Sequence, residues 1–216
     1  MPSPDFENST RQRLLQAAGE TFAEKGFHAA TIRDISQRAD ANVAAVNYYF
    51  GDKQKLYEAV LLDAINYGER RFAAVRDQMK SLGPRQCLHD FVGSALIAGL
   101  GPDRPEWHCK LLCIEMADPG PALETLFDKT LSQRFAMLRQ IISELLSPPG
   151  DAREISLCAC SVLGQCLFYL RSPHLLPQIW PDMELNCDGL EQLTRHITEF
   201  SLAAIEVRNS RASDTD

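Results

Sequence analysis

The sequence predicts an all-α fold, in which an N-terminal three-helix helix-turn-helix domain precedes a larger helical domain. Three observations support this class. Apolar residues recur three and four positions apart along most of the chain, which is the spacing of one face of a helix. No segment alternates apolar and polar residues as a half-buried strand would. Finally, two short helical patterns flank a tight break at residues 40–42.

Composition places the chain among ordinary globular proteins. Of its 216 residues, 45% are hydrophobic and 24% are charged, enough for one or two domains with a buried core. No apolar run approaches the roughly 18 residues of a membrane span, and the first residues lack the basic and apolar regions of a signal peptide. We therefore expect a cytoplasmic protein without membrane partners. The seven cysteines have no regular spacing and are interpreted as reduced thiols.

The N-terminal helices carry clear start and stop signals. A first helix is predicted from the capping cluster at residues 8–10 to Lys25, with Gly26 ending it. Thr31 is the expected cap of a second helix, in which Ile32, Ile35 and Ala39 share one face. Phe27 is expected to complete a small core with Phe22, Ile32, Ile35, Val46 and Phe50.

The break between the second and third helices has the chemistry of a sharp turn. Asp40 tolerates the left-handed backbone region better than most residues, and Asn42 is a strong N-cap residue. From Val43 the helical pattern resumes, with Val46 and Phe50 on one face, and Gly51 ends it. Two short helices joined by such a turn indicate a helix-turn-helix, whose second helix can lie in a DNA major groove.

These segments resemble the TetR family of transcriptional regulators over about the first 60 residues. The sequence departs from the family pattern at Asp40, where glycine is usual, and at Asn47, where an aromatic residue is common. The resemblance is carried by Ala17-Ala18, Phe22, Lys25-Gly26-Phe27, Thr31-Ile32-Arg33-Asp34-Ile35, Ala39, Val46, Tyr48-Tyr49-Phe50, Lys53 and Leu56-Tyr57.

The resemblance and the residue chemistry together predict a set of DNA contacts. Asn47 can pair with adenine, and Arg33 reaches a phosphate or a guanine edge unless it forms a salt bridge with Asp34 or Asp52. One of Tyr48 and Tyr49 packs inward while the other, favoured to be Tyr48, reaches a phosphate. Lys53 stands at a helix N-terminus suited to phosphate. The predicted DNA-binding residues are Thr31, Arg33, Asn42, Val43, Ala44, Ala45, Asn47, Tyr48, Tyr49 and Lys53.

Charge predicts that one copy of the chain binds DNA weakly. The net charge is -7, and residues 1–57 contain seven Lys or Arg against seven Asp or Glu. Because phosphate contacts supply most of the affinity for DNA, we expect a dimer, which doubles their number. In the resembled family the last two helices form a four-helix bundle across a two-fold axis.

The remaining helices are predicted at residues 53–79, 85–99, 106–117, 122–146, 152–171 and 189–207, with a loop at 172–188. The predicted domains are 1–57 for DNA binding, 58–208 for ligand binding and dimerisation, and a disordered tail at 209–216. The helix at 152–171 is apolar nearly all round, which indicates burial in a core or against a partner. The predicted dimer interface is Leu157, Ser161, Gly164, Phe168, Leu193, Ile197, Phe200 and Ala204.

A ligand pocket is predicted in the C-terminal half. The segment KLLCIEMADPGPAL resembles the YbiH/CecR-type branch of the family, and Glu115 within it could face a cationic or hydroxylated ligand. The alternatives for Glu115 are an ion pair with Lys110 or Arg139, or exposure to solvent. The candidate pocket residues are Phe91, Trp107, Cys113, Glu115, Met116, Phe135 and Phe168.

No motif predicts an enzyme or a cofactor. The chain has no glycine-rich phosphate loop, no GxSxG and no HExxH sequence. Cys109 and Cys113 lie four apart beside His108, so a metal or thiol sensor remains an alternative to buried packing, although no third ligand has diagnostic spacing.

The predicted function is a ligand-responsive regulator, in the first instance a repressor. It binds a palindromic operator as a homodimer and is released by a small molecule of unknown identity. The long helix at 53–79 would link the two domains mechanically. The alternatives are an activator with the same head, a metal- or thiol-sensing regulator, and an enzyme whose helical C-terminal domain acts chemically.

Overall fold

The computed structural model describes residues 4–79, 81–117, 131–171 and 175–213, and within these ranges it is helical without a strand. The predicted all-α fold is therefore confirmed. The helices are α1 (Pro4–Ala29), α2 (Ile32–Arg38), α3 (Val43–Phe50), α4 (Lys53–Met79), α5 (Pro84–Leu100), α6 (Glu106–Ala117), α7 (Ser132–Leu145), α8 (Ala152–Arg171), α9 (Leu176–Ile179) and α10 (Cys187–Ser213).

Helix bounds agree with the sequence prediction for several helices and differ for α1, for the segment that contains α9 and for α10. The helices α4, α6 and α8 have the predicted bounds. In contrast, α1 begins earlier, at Pro4, and Gly26 interrupts it with a φ of 75° and a ψ of 167°. The short helix α9 lies within the predicted loop. The first part of the helix predicted at 122–146 lies outside the described residues.

The C-terminal helix is longer than predicted, because it continues past Val207 to Ser213. The polar residues of this segment bond back to the rest of the chain. Arg208 donates to both carboxylate oxygens of Glu154 at 2.6 Å and to the carbonyl of Pro148 at 2.6 Å. Asn209 donates to the carbonyl of Leu145 at 3.0 Å. Residues 209–213, expected in a disordered tail, are helical, and the bonds of Arg208 and Asn209 anchor the start of this segment.

The chain divides into two compact units. The first unit is formed by Met1–Asn66 and Pro105–Leu126, and the second by Tyr67–Arg104 and Phe127–Asp216. The helix α6 therefore belongs to the same unit as α1, α2 and α3. The functional division at residue 57 stays a prediction.

The core of the first unit is built from α1, α2, α3, the start of α4 and α6. Gly19 of α1 lets the indole of Trp107 pack directly on the helix backbone, because a Cβ at this position would lie 2.4 Å from a ring carbon. The core residues include Leu14, Phe22, Ile35, Val46, Leu56, Tyr57, Val60, Leu61, Trp107 and Leu111. Burial of these apolar side chains provides most of the driving force for folding this unit.

In the second unit, α5 packs against α7, α8 and α10. The core there includes Phe72, Leu88, Phe91, Val92, Leu96, Leu138, Ile142, Val162, Leu193 and Ile197. No helix in the described part of the chain combines the length and apolar character needed to cross a bilayer.

Candidate nucleic-acid interface

The start of α2 is fixed by a reciprocal capping arrangement. The hydroxyl of Thr31 accepts a hydrogen bond from the backbone N–H of Asp34 at 3.1 Å, and the Asp34 carboxylate accepts from the backbone N–H of Thr31 at 3.3 Å. The capping role predicted for Thr31 is confirmed. Such a capping box satisfies two N–H groups that the first helical turn would otherwise leave unbonded.

Arg33 projects from this first turn into solvent. Its neighbour Asp34 bonds to Lys25 at 2.9 Å instead, and this bond is the largest of the effects that lower the pKa of the Asp34 carboxyl. Within the described residues, Arg33 takes part in no ion pair, so the alternative salt bridges with Asp34 and Asp52 do not form there.

The turn between α2 and α3 has the predicted chemistry. Asp40 adopts a φ of 48°, in the left-handed region, and the N–H of the next residue bonds to the carbonyl of Ser36 at 3.0 Å. The Asn42 side-chain oxygen accepts from the N–H of Ala44 at 2.9 Å, which confirms its role as the N-cap. The cap uses one lone pair of this oxygen and leaves both N–H donors of the Asn42 amide unused by it.

The helix α3 exposes one face and buries the other. Val46 and Phe50 are buried in the first unit, whereas Asn47 is exposed and 74% of the Tyr48 surface is accessible. Tyr49 is half-buried and packs against the core, with its ring edge-to-face on Tyr48 at 4.9 Å. Val43 and Ala44 are exposed, and Ala45 is half-buried. The division expected of the two tyrosines, one outward and one packed, is what the structure shows.

Lys53 begins α4 next to this face. The side chain is half-buried, with its ammonium 3.3 Å from the carbonyl oxygen of His28 and 4.6 Å from the ring centre of Phe27. The carboxylate of Asp52 caps α4 by accepting from the N–H of Lys55 at 2.8 Å. Because an ammonium has three donors, the bond to His28 leaves two that can reach a phosphate.

Two other basic residues of the first unit are neutralised by neighbouring carboxylates, which the sequence pattern did not reveal. Arg38 donates to Glu24 at 2.7 Å and lies 3.9 Å from Glu20, and the hydrogen bond to Glu24 raises the pKa of Arg38. Lys25 is paired with Asp34 as described above. These pairs join α1 to α2 and leave the positive charge available for DNA concentrated at fewer positions.

The predicted pocket residues are distributed over both units. Trp107 is 5% exposed in the first unit and donates from Nε1 to the side chain of Gln16 at 3.0 Å. Glu115 is also 5% exposed and accepts a hydrogen bond from Tyr57, so it is not a solvent-facing carboxylate. In the second unit, Phe91 is buried in the core. The other candidates are half-buried Cys113 and Phe135 and exposed Met116 and Phe168. The pocket itself stays a prediction.

The predicted dimer residues separate into two groups. Leu193 and Ile197 are 2% and 1% exposed in the core of the second unit, so a single chain already covers them and they do not belong to an exposed face. The expectation for these two residues was wrong, because the apolar stripe of α10 serves the core along part of its width. The remaining residues are exposed, namely Leu157, Ser161, Gly164, Phe168, Phe200 and Ala204.

Among the described residues, no group of three or more His, Cys, Asp or Glu side chains is arranged to hold a metal ion. Cys109 and Cys113 are both half-buried on α6.

Two protein families match the chain. The family described as "Bacterial regulatory proteins, tetR family" matches residues 14–60, which contain the helix-turn-helix. The family described as "HTH-type transcriptional dual regulator CecR, C-terminal domain" matches residues 84–205, more than half of the chain.

Curated relatives match over part of the chain. The chain is 34% identical over 83 residues to the HTH-type transcriptional repressor NicS of Pseudomonas putida, an alignment that covers 38% of each chain. It is 36% identical over 63 residues to the HTH-type transcriptional regulator BetI of Escherichia coli, covering 29% of this chain and 32% of BetI. These alignments thus span about a third of the relatives.

Solved structures with the same fold cover most of the chain. The FadR regulator of Bacillus subtilis, in complex with stearoyl-CoA, aligns with a TM-score of 0.65 at 15% identity over 90% of this chain and 98% of FadR. The TetR-family regulator PfmR of Thermus thermophilus aligns with a TM-score of 0.67 at 18% identity, over 89% and 95%. The matched families show that this chain belongs to the TetR family of DNA-binding transcriptional regulators, and the capped helix-turn-helix and the fold agree with this.

Proposed function

We propose that the protein is a dimeric repressor that reads a palindromic operator with α3 and leaves it when a small molecule binds. The single observation that carries DNA reading is the exposed face of α3, where Asn47 and Tyr48 point outward while Val46 and Phe50 anchor the helix. Small residues at the start of α3 let its backbone approach the floor of a major groove, where side chains meet base edges.

Arg33 and Lys53 are assigned different tasks at this interface. Arg33, exposed in the first turn of α2, contacts a guanine edge or a phosphate, and Lys53 contacts a phosphate at the start of α4. A duplex selected from random sequences by the purified protein should contain an inverted repeat. Recovery of sequences without any common element would contradict the proposal.

Substitutions at the two cations then separate base reading from phosphate binding. Arg33→Ala should weaken binding to the selected duplex by about 1–3 kcal/mol. Arg33→Lys is the matched control, because it keeps the charge but loses the planar fork that pairs with guanine. A base contact predicts that the lysine variant is nearly as weak as the alanine variant, whereas a phosphate contact predicts that it binds almost as well as the wild type. Lys53→Ala should weaken binding to all duplexes alike.

Dimerisation is assigned to the exposed apolar face shared by α8 and α10. Leu157 and Phe200 are 60% and 62% exposed, and a helix with small residues such as Gly164 permits close approach of a second helix. A two-fold dimer would hold two α3 helices about 34–36 Å apart, one turn of DNA, or a multiple of it.

Gly164→Glu tests the dimer with little risk to the fold, because a Cβ at Gly164 meets no atom within 4 Å in the single chain. We expect monomers in analytical ultracentrifugation. Ala136→Glu, which adds the same carboxylate to an exposed position of α7, is the control and should leave the dimer intact. If the Gly164→Glu variant remains a dimer, the interface lies elsewhere on the chain.

Release by a small molecule rests on the family and on its members. FadR was crystallised with stearoyl-CoA, and NicS is described as a repressor. A ligand shifts the equilibrium only by its differential affinity for the DNA-bound and DNA-free states. An activating role is the second candidate, since the C-terminal family is described by a dual regulator. The position of bound sites relative to promoters distinguishes the two, because an operator overlapping the promoter favours repression.

A further inference from the structure

The helix α6 is joined to the DNA-reading part of the first unit by a buried polar contact. The Tyr57 hydroxyl on α4 donates a hydrogen bond to the Glu115 carboxylate on α6, and the two residues are 6% and 5% exposed. Burial, and then the bond to Glu115, raises the pKa of Tyr57 far above its usual range, so the hydroxyl remains a donor at physiological pH. By sequence, α6 falls within the matched C-terminal domain.

The Tyr57 ring in turn fixes an aromatic cluster. It lies 4.9 Å from the ring of Phe22, edge-on, and 4.9 Å from the ring of Phe27. Phe22 and Phe27 stack on each other at 6.1 Å. Rings at such distances attract one another beyond their apolar burial, so Tyr57 helps to position the ring of Phe27.

The ring of Phe27 in turn contacts the side chain of Lys53. The ammonium of Lys53 sits 4.6 Å from the centre of the Phe27 ring, within the range of a cation–π interaction. Lys53 and Tyr57 lie four residues apart on α4, so their side chains project from the same face and Phe27 contacts both. A series of contacts thus runs from Glu115 through Tyr57 and Phe27 to Lys53.

We propose that Glu115 is a positioning residue for DNA binding, which acts through Tyr57 and Phe27 to hold the Lys53 ammonium where a phosphate meets it. This inference rests on the proposed function, specifically on a phosphate contact by Lys53. Its physical basis is preorganisation, because a side chain ordered before binding loses less conformational freedom when the complex forms.

The test measures the affinity of the full-length dimer for its selected duplex by fluorescence anisotropy. Glu115→Leu removes the acceptor, and Tyr57→Phe removes the donor while it keeps the ring. Each should weaken binding by about four- to a hundredfold, because ordering one side chain is worth about two- to tenfold and the dimer has two. Glu115→Gln retains an oxygen acceptor for the Tyr57 hydroxyl and should bind nearly as well as the wild type.

Epistasis distinguishes positioning of Lys53 from a general structural role. In a Lys53→Ala background, Glu115→Leu should cause no further loss, since the residue being positioned is gone. In an Arg33→Ala background the loss should persist, because residues with no shared partner act additively. If Glu115→Leu does not fold, Tyr57→Phe is combined with the same two backgrounds and decides the question.

The outcomes separate the inference from the proposed function. If the wild type binds its duplex and Glu115→Leu loses the same factor with and without Lys53, the positioning role is wrong and the proposed function stands. Full affinity of the Glu115→Leu and Tyr57→Phe variants would overturn the inference in the same way. If the wild type binds no duplex, both proposals fall.

Discussion

The contact between Gly19 and Trp107 allows a quantitative test of how α6 packs in the first unit. A Cβ at Gly19 would lie 2.4–2.5 Å from three carbons of the indole ring, closer than nonbonded carbons approach. The indole cannot rotate away freely, because it is 5% exposed and its Nε1 donates to Gln16 at 3.0 Å. Gly19→Ala should therefore overpack this contact.

Two opposing effects set the change in the free energy of unfolding caused by Gly19→Ala. Alanine is favoured over glycine in a helix interior by about 1 kcal/mol. Overpacking a well-filled core costs about 1–3 kcal/mol. Gly19→Ala should thus leave the free energy of unfolding unchanged or lower it by up to about 2 kcal/mol. In a Trp107→Leu background the ring is absent, so the same substitution should instead raise stability by about 1 kcal/mol.

Urea denaturation at a fixed protein concentration measures the stability of the wild type, the two single variants and the double variant. The readout is far-ultraviolet circular dichroism, because Trp107 is one of two tryptophans and its loss would change the fluorescence signal itself. The coupling between the two substitutions should be about 1–3 kcal/mol. An effect of Gly19→Ala that is equal in both backgrounds would refute the packing described here.

Three further predictions concern the backbone turn, a surface ion pair and the thiols. Asp40 has a φ of 48°, so Asp40→Gly should raise the free energy of unfolding by up to about 1 kcal/mol. The urea midpoint should rise accordingly, and a lower midpoint would contradict this. The hydrogen bond from Arg208 holds the pKa of Glu154 below its usual range, so the pair stabilises the fold while Glu154 is ionised and loses this effect as acid protonates the carboxylate. The stability difference between wild type and Arg208→Met should accordingly shrink in acid, to what the bond from Arg208 to the Pro148 carbonyl contributes, and a difference that does not change with pH would argue against the pair. Burial raises the pKa of Cys166 to about 12, so iodoacetamide should label exposed Cys187 in the native protein while Cys166 stays unmodified in peptide mass spectra.

Features set by local chemistry could be predicted from the sequence. Thr31 and Asn42 cap their helices because short polar side chains reach N–H groups two or three residues ahead, and Asp40 occupies the turn for a similar reason. The bounds of α6 and α8 follow from proline, glycine and capping residues beside apolar patterns. The division of Tyr48 and Tyr49 into an outward and a packed ring follows from helical periodicity.

Features set by distant contacts could not be predicted. The partner of Glu115 is Tyr57, 58 positions earlier in the sequence, and no local pattern identifies such a pair. Leu193 and Phe200 belong to one apolar stripe in the sequence, yet the first is buried in its own chain and the second is 62% exposed. Periodicity shows that a helix face is apolar, but it does not show which part of that face the same chain covers.

The placement of Trp107 and Leu111 in the core of the first unit has a consequence for protein engineering. A hybrid regulator made by fusing residues 1–57 to a foreign sensor domain would leave behind two large side chains that fill this core. The transplanted piece would lack the indole that packs on α1 at Gly19 and should be less stable than the complete first unit. A stable hybrid would retain α6 together with α1, α2 and α3, or it would need a redesign of the surface that α6 covers.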